Sequence, residues 1–284
     1  MQVLTSRKAL KALIVSLKNK KKSIGFVPTM GFLHEGHLSL VKKSVAENDR
    51  TVASLFVNPL QFGPKEDLKH YPRDFKRDQR LLAQAGADVL FSPSPKEFYP
   101  ADFQTTVLVN RLSLPLCGRT RPRHFAGVAT VVLKLLNLVS PDRLYLGQKD
   151  FQQCRVLEQM IEDMEMPVSV CRMPIVREKD NLAMSSRNVY LSPAERSQAV
   201  VLSRALSRAK DFIEKGERDT KKIKKEMLSL VHSAVLARAD YAEIVDVRTL
   251  KDVVKLRKGA RVLVALAVYF SKTRLIDNVL VDAP

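Results

Sequence analysis

The sequence predicts an α/β fold in which a doubly wound parallel sheet is followed by a smaller C-terminal α+β domain. Short apolar runs alternate with helical spacing as far as about residue 176, which is typical of parallel strands joined by helical crossovers. Beyond that point, two helical segments precede three strand-like segments without alternation. The 284 residues, 45% hydrophobic and 27% charged, suffice for one large or two ordinary domains.

Apolar spacing and turn residues divide the first part of the chain. Leucine and isoleucine at helical spacing predict a helix over 6–17, and the apolar run at 24–27 predicts a strand that ends at Pro28. Asn58 and Pro59 end the next strand, over 51–57. On the same grounds we expect helices at 37–46, 74–85, 126–139 and 151–164, strands at 87–91, 143–146 and 168–176, and one more strand at 105–109.

The second part of the chain has a different pattern. Its predicted elements are helices at 193–215 and 220–237 and strands at 241–247, 261–269 and 275–281. We therefore predict two domains, a Rossmann-like domain over 1–176 and a smaller α+β domain over 177–284. In a Rossmann-like sheet, ligands bind beyond the carboxyl ends of the strands.

The net charge of +18, from 48 basic and 30 acidic residues, raises the possibility of anionic partners. The basic clusters at 18–22 and 221–225 contain no interleaved aromatic residues, so a solvated lysine-rich surface is the simpler interpretation. We predict no nucleic-acid partner, although the charge keeps an RNA-binding module open as an alternative.

Cysteines and apolar runs indicate the compartment. Cys117, Cys154 and Cys171 are odd in number and lack metal-like spacing, which argues against a disulfide framework or a metal site. The longest apolar run, 128–139, is too short to cross a bilayer, and the N-terminus lacks the apolar block of a signal peptide. We predict a cytoplasmic protein with no membrane partner.

The first loop with candidate chemistry runs from Pro28 to His37. Gly31 and Gly36 permit close approach of the backbone, and free N–H groups at a helix start favour a phosphate. His34 and His37 are three residues apart, so both project to one side of a first helical turn. They can donate hydrogen bonds to phosphate oxygens as charge develops there. The alternative is that they only cap or pack the turn.

Three further loops carry polar residues. Gln61 offers donors and an acceptor for hydroxyl and carboxylate groups. Lys149 supplies a point charge for a triphosphate, Asp150 can cap a helix or hold Mg²⁺ through water, and Gln153 lies one turn further along. Hydroxyls, amides and an arginine in 184–188 suit a phosphate clamp. The alternatives are a polar loop, a capped helix start and a solvated serine turn.

Taken in order, these loops resemble one enzyme family. The HxGH pair with a downstream xMSSR loop is similar to the nucleotidyl-transferase superfamily that includes class I aminoacyl-tRNA synthetases. The longer stretches around these motifs resemble the pantoate–β-alanine ligases, the pantothenate synthetase family. The resemblance runs from Phe26 to Arg196, and RLIDN near the C-terminus also fits. The stretches that carry the resemblance are FVPTMGFLHEGH, SLFVNPLQFG, RPRHFAGVATVVLKLLNLVSPDRLYLGQKDFQQ and AMSSRNVYLSPAER.

The resemblance implies an ATP-dependent, AMP-forming ligase of pantothenate and coenzyme A biosynthesis. Such enzymes join (R)-pantoate to β-alanine through a pantoyl-adenylate and release AMP and pyrophosphate. It implies His37 as proton donor or transition-state stabiliser, assisted by His34 and by Lys149 on the phosphates. Gln61 and Gln153 would bind pantoate. The implied ATP-binding residues are Met30, Gly31, Phe32, Leu33, His34, Glu35, Gly36, His37, Gly147, Gln148, Lys149, Asp150, Val176, Met184, Ser185, Ser186 and Arg187.

The resemblance also implies the setting of the reaction. The first domain would bind nucleotide and pantoate, the second would cover the active site, and Arg121 and His124 would lie on a mobile loop near it. Mg²⁺ would accompany ATP through phosphate oxygens, without metal ligands from the protein, and the enzyme would be a homodimer. Its partners would be pantoate, β-alanine and ATP.

Three positions depart from the family pattern. Asn181 stands where the family usually has glycine, Arg123 occupies a position that is often small, and Gln148 replaces a common glutamate. Two alternative functions stay open: another adenylyl- or cytidylyl-transferase of the superfamily, and an RNA-binding, synthetase-like module.

Overall fold

The protein, described by a computed structural model over residues 1–64 and 66–284, divides into two compact units. The first unit comprises Met1–Gln148 and Gln153–Pro174, and the second comprises Lys149–Gln152 and Ile175–Pro284. The functional division into domains 1–176 and 177–284 stays a prediction.

The first unit contains the predicted alternation of strands and helices. In chain order the elements are β1 (Gln2–Leu4), α1 (Arg7–Asn19), β2 (Ile24–Thr29), α2 (Glu35–Glu47), β3 (Arg50–Leu55), α3 (Phe75–Gln84), β4 (Val89–Phe91), α4 (Pro95–Phe98), α5 (Cys117–Thr120), α6 (His124–Val139), β5 (Arg143–Gly147), α7 (Phe151–Asp163) and β6 (Ser169–Met173). Short 3₁₀ turns occupy Pro59–Gln61 and Gln148–Asp150.

The strands form one six-stranded parallel sheet in the order β1-β4-β3-β2-β5-β6. From β2 the chain moves through β3 to β4 on one side, and then returns to place β5 on the other side of β2. The order therefore reverses between β2 and β5, which pair through Gly25↔Arg143 and Phe26↔Leu144. Ligands of such sheets bind at this reversal.

Helices cover both faces of this sheet. Alternate strand residues point to opposite faces: Phe26 and Leu144 pack with α1, α6 and α7, whereas Val27 and Tyr145 pack with α2 and α3. The doubly wound α/β arrangement predicted from the sequence is confirmed.

The second unit is a three-stranded antiparallel sheet in the order β7-β8-β9, packed against helices. Leu206 and Ile213 of one helix and Met227 of the next lie in one apolar cluster with Ile244 and Val264 of the strands. This is the predicted α+β architecture. Its elements are α8 (Pro193–Ala199), α9 (Val201–Glu214), α10 (Thr220–His232), β7 (Ala237–Asp246), β8 (Arg261–Phe270) and β9 (Thr273–Asp282).

Some predicted boundaries were wrong. The helix expected over 193–215 is two helices that meet at Val200, and the helix expected over 220–237 ends at His232. The strand expected over 168–176 ends at Met173. The short strand β1, which pairs with β4, was not predicted because three residues show no measurable alternation.

The strand expected over 105–109 is also wrong. Its β-branched residues favour an extended chain, but no described strand pairs with it. Instead, the Val107 N–H donates to Thr130 Oγ1 at 2.9 Å, and Val107 and Val109 pack against the core that α6 contributes to. No helix among the described residues is long and apolar enough to cross a membrane.

Candidate active site

The histidine loop begins where β2 ends at Thr29. The backbone turns through positive φ angles of 89° at Gly31 and 51° at Phe32. Asp78 of α3, only 2% exposed, accepts hydrogen bonds from the N–H groups of Phe32 at 2.6 Å and Leu33 at 2.8 Å. The backbone N–H groups of two residues that the resemblance assigned to ATP therefore point at a carboxylate of the protein.

Asp78 holds the histidine loop through these two hydrogen bonds. Burial raises the pKa of this carboxyl, and the two backbone donors act in the opposite direction, since they stabilise the carboxylate. Its neighbour Arg77 donates to the carbonyl of Leu33 at 2.9 Å and lies over the Phe32 ring. Neither residue is predictable from the sequence pattern, because neither belongs to a loop that follows a strand.

His34 and His37 form the start of α2. The Nδ1 of His34 accepts from Gly36 N–H at 3.1 Å, and the Nδ1 of His37 lies 3.4 Å from His34 N–H, which closes a reciprocal cap. The ring centroids are 4.0 Å apart. Because each Nδ1 accepts, a neutral ring carries its proton on Nε2. The same two rings can therefore cap the helix through Nδ1 and donate to a ligand through Nε2.

Gln61 lies in the 3₁₀ turn that follows β3 and is 9% exposed. Its Nε2 is 3.1 Å from Met30 Sδ, and its Oε1 accepts from Asn58 Nδ2 at 3.0 Å. Asn58 is itself buried and accepts from Tyr99 Oη at 2.9 Å. The structure thus brings together Gln61 and Met30, two residues that the sequence predicted for different substrates.

Helix α6 approaches the Gln61 turn at a glycine. A Cβ at Gly127 would lie 2.3 Å from the carbonyl oxygen of Leu60 and 2.6 Å from the nitrogen of Gln61. The carbonyl of Gly127 also accepts from Asn58 Nδ2 at 3.1 Å. Only glycine permits this approach, so Gly127 determines how near the Gln61 turn lies to α6.

Arg121 and His124 lie beside the same turn. Arg121 makes two 2.7 Å hydrogen bonds to the carboxylate of Glu66, and His124 Nδ1 donates to the carbonyl of Gln61 at 2.9 Å. Burial acts to raise the pKa of Glu66, but the Arg121 guanidinium outweighs it and the pKa falls below its usual value. Arg121 also donates to the carbonyl of Gln61 at 3.4 Å, so both side chains hold the Gln61 turn.

The loop after β5 begins at Gly147, beside the strand that leads to the histidine loop. The Cys154 thiol donates to the carbonyl of Gly147 at 3.4 Å. Gln148 starts the 3₁₀ turn, and Gln153 lies partly buried in the first turn of α7. Within the first unit, the strand reversal therefore places the starts of two predicted ATP-binding loops next to each other.

In the second unit, Lys149 is held by its backbone. Asn278 of β9 donates from Nδ2 to the carbonyl of Lys149 at 2.9 Å. The Lys149 ammonium lies 3.9 Å from Asp150 Oδ2, a distance that leaves only weak attraction between two partly exposed groups. In the RLIDN stretch, which fits the family by resemblance, the asparagine therefore has a physical role.

Val176 and Met184 lie on the two arms of one turn. Met184 N–H donates to the carbonyl of Val176 at 3.0 Å, and Arg177 forms a β-bridge with Ala183. At the tip, Asn181 has a φ of 72°. Asparagine tolerates this left-handed region better than most residues other than glycine, which accords with the glycine that the resemblance implies at this position.

The turn is tied to the sheet of its own unit. The carboxylate of Asp277, 1% exposed, accepts two hydrogen bonds from the Arg177 guanidinium at 2.7 and 3.0 Å. Ser185 Oγ accepts from Arg187 N–H at 3.2 Å and begins a 3₁₀ turn over Ser186–Tyr190. Val176 and the residues 184–187, predicted together for ATP, are thus neighbours in the fold.

The chemistry of the described residues shows no built metal cage. Among residues 1–64 and 66–284, no group of three or more His, Cys, Asp or Glu side chains is placed to hold a metal ion. The polar groups described above suit anions and carboxylic acids instead, because imidazole, amide and ammonium groups all donate hydrogen bonds.

Comparison with known proteins identifies the family. The sequence profile of the family described as pantoate-beta-alanine ligase matches residues 2–280. The pantothenate synthetase of Caldicellulosiruptor saccharolyticus is 54% identical over 273 residues, 96% of each chain. That of Caldicellulosiruptor bescii is 52% identical over 283 residues, 100% of each chain.

Solved structures agree in fold. The pantothenate synthetase of Thermus thermophilus has a TM-score of 0.92 at 44% identity, covering 98% of this chain and 99% of that one. The pantoate-beta-alanine ligase of Francisella tularensis, complexed with beta-gamma ATP and beta-alanine, has a TM-score of 0.81 at 35% identity, covering 99% and 97%. With a profile match over nearly its whole length and relatives above 50% identity, the chain belongs to the pantoate–β-alanine ligase family.

Proposed function

We propose that this protein condenses (R)-pantoate with β-alanine at the expense of ATP, through a pantoyl-adenylate, and releases AMP and pyrophosphate. The observation that carries the proposal is the position of the histidine pair, at the start of α2 and beside the point where the strand order reverses. The chain belongs to the pantoate–β-alanine ligase family. The Francisella relative, which was complexed with beta-gamma ATP and beta-alanine, supports the same substrates.

In the first step, a carboxylate oxygen of pantoate bonds to the α-phosphorus of ATP as the bond to pyrophosphate breaks. Negative charge grows on the α-phosphate oxygens and on the leaving group, so fixed donors and cations lower the barrier. His37 donates from Nε2, with the ring of His34 beside it. Lys149 adds positive charge for the phosphates, on a backbone that Asn278 holds in place.

Pantoate is held by the two predicted glutamines. Gln61 donates from Nε2, whose present neighbour Met30 Sδ is a weak acceptor that a carboxylate or hydroxyl oxygen readily replaces. Gln153 provides a second amide from the first turn of α7. Holding the acid and the nucleotide side by side supplies much of the rate, because it removes the entropy of bringing them together.

In the second step, the amine of β-alanine attacks the carbonyl carbon of the adenylate. The carbon–nitrogen bond forms, the carbon–oxygen bond to phosphate breaks, AMP leaves, and the new amide nitrogen loses a proton. Gln61 helps to seat the amine after pyrophosphate has left. The nucleotide contacts come from residues 30–37, 147–150, 176 and 184–187.

Three further features belong to the proposal. Mg²⁺ would accompany ATP through its phosphate oxygens, as the resemblance implies, and Asp150 could hold it through water. A homodimeric state rests on the family resemblance, and a cytoplasmic location rests on the odd number and spacing of the cysteines. No observation on the described residues favours the RNA-binding alternative or a different nucleotidyl-transferase.

The test is an assay of AMP and pyrophosphate formation with ATP, Mg²⁺, pantoate and β-alanine, each omitted in turn. We expect AMP only when all four are present, and enzyme-bound adenylate with stoichiometric pyrophosphate when β-alanine alone is missing. AMP or pyrophosphate formation that does not depend on pantoate would contradict the proposal. Turnover with a different acid or phosphate-bearing acceptor would assign the protein to another reaction of the superfamily.

A further inference from the structure

We propose that Tyr99 is a positioning residue for pantoate, which acts through Asn58 to orient the side-chain amide of Gln61. The inference rests on the role proposed above for Gln61. Tyr99 lies just after the short helix α4, 38 residues away from Gln61 in the chain, counting from 61 to 99. Its hydroxyl donates to Asn58 Oδ1 at 2.9 Å.

The Tyr99 hydroxyl and two backbone groups together set the orientation of the Asn58 amide. Its Nδ2 faces the carbonyl of Gly127 at 3.1 Å, which only accepts, and its Oδ1 faces the N–H of Leu60 at 3.3 Å, which only donates. A flipped amide would oppose like groups at both contacts. Asn58 is 1% exposed, so no water relieves such a mismatch.

This fixed amide in turn orients Gln61. The second hydrogen of Asn58 Nδ2 points to the Gln61 side chain at 3.0 Å, so the group that faces it must be the oxygen, Oε1. The Nε2 of Gln61 is therefore directed away from Asn58, towards Met30 Sδ. A donor pointed this way suits the carboxylate or hydroxyl of an acid, and a flipped Gln61 would present an acceptor that repels the carboxylate.

Tyr99 is the first donor in this series of hydrogen bonds, and packing against other rings fixes its position. Its ring packs edge-on against Phe98 with centroids 4.9 Å apart and lies 4.9 Å from Phe103. Burial raises the pKa of the phenol, so it stays a donor across the working pH range. The bond from Tyr99 is also shorter than that from Leu60, at 2.9 Å against 3.3 Å. Tyr99 thus holds Asn58 Oδ1 more firmly than the backbone does.

The test is Tyr99→Phe in the wild-type and Gln61→Ala backgrounds. Phenylalanine keeps the ring packing and removes only the hydroxyl. We expect the KM and the calorimetric Kd for pantoate to rise about three- to tenfold, as for one lost hydrogen bond, with an unchanged KM for ATP. In the Gln61→Ala background, adding Tyr99→Phe should change pantoate affinity less than about twofold, because the group it orients is gone.

Tyr145→Phe is the matched control. Tyr145 is buried, and its hydroxyl donates to Glu47 Oε2 at 2.8 Å, at the end of α2 opposite to the histidines. Removing that hydroxyl should lower the melting temperature without weakening pantoate binding. A comparable loss of pantoate affinity in this control would show a general structural effect and overturn the inference.

Two other results would also overturn it. If Tyr99→Phe binds pantoate normally while Gln61→Ala does not, Tyr99 does not position Gln61, and the function proposed above is untouched. If the effect of Tyr99→Phe is equally large without the Gln61 amide, Tyr99 acts by another route. Normal pantoate affinity in Gln61→Ala would instead remove Gln61 from the proposed function, and with it the basis of the inference.

Discussion

Replacing Gly127 with alanine should displace the Gln61 turn and slow the reaction with pantoate. The added Cβ would lie 2.3 Å from Leu60 O, 2.4 Å from Leu60 C and 2.6 Å from Gln61 N. Non-bonded heavy atoms prefer about 3.5 Å, so the turn and α6 must separate by about 1 Å. Backbone atoms receive all three contacts, and none of them can rotate away as a flexible side chain would.

Two effects of opposite sign act on stability. Alanine in a helix interior is favoured over glycine by about 1 kcal/mol, whereas overpacking a buried contact costs about 1–3 kcal/mol. The second effect is larger, so we expect a net loss of about 0–2 kcal/mol and a folded protein. For activity, a misplacement of about 1 Å near the reacting groups lowers rates by about 10²-fold.

The assay is steady-state kinetics with pantoate varied at saturating ATP and β-alanine, together with thermal unfolding. We expect kcat/KM for pantoate to fall by about 10- to 100-fold, while ATP binding is retained. Ala126→Gly, the reverse exchange one residue earlier in α6, should lower the melting temperature and leave pantoate kinetics intact. Wild-type pantoate kinetics in Gly127→Ala would refute the reasoning from this contact.

Three further predictions concern other groups. His37→Ala should slow pyrophosphate release by about 10²-fold, as for loss of a preorganised donor, and an unchanged rate would remove His37 from the mechanism. Asp78→Asn should cost about 1–3 kcal/mol of stability and weaken nucleotide binding. The oxygen of an amide can accept from Phe32 N–H or Leu33 N–H, but its nitrogen cannot accept from the other. Calorimetry with ATP checks this, and normal ATP affinity would count against a loop-supporting role. Asp49 has a pKa lowered to about 2, first by the Ser23 backbone N–H. The stabilising effect of the Asp49 carboxylate is therefore fully present above the pKa of the unfolded chain, about 4. It is lost as the pH falls through the folded pKa of about 2. The difference in melting temperature between wild type and Asp49→Asn should shrink across that range, and a constant difference would contradict the assignment.

Parts of the candidate site were predictable from the sequence because ligands of parallel sheets bind at the loops that follow the strands. Once β2, β3 and β5 were predicted, the polar residues after them, His37 and Gln61 among others, were natural candidates. The histidine pair illustrates the limit of this approach. Its residues were predicted to cap or to bind a ligand, and the structure shows that each Nδ1 takes part in the cap, which leaves Nε2 as the donor of a neutral ring.

Other parts were not accessible, because strand propensity does not specify a partner. The segment 105–109 has the composition of a strand and lacks a pairing edge among the described residues. Conversely, β1 is only three residues long and is a strand because β4 lies beside it. Pairing is decided by the assembled sheet, and local composition contributes only the tendency to be extended.

By itself, the sequence determined the alternating α/β architecture and the family, because hydrophobic period and ordered loop residues are local properties of the chain. The tertiary structure alone decided what supports those loops: Asp78 beneath the histidine loop, Gly127 against the Gln61 turn, and Tyr99 behind Asn58. These contacts join residues 41 to 69 positions apart. A buried donor or acceptor acquires its role only when folding brings its partner within about 3 Å of it, and no local pattern records that distance.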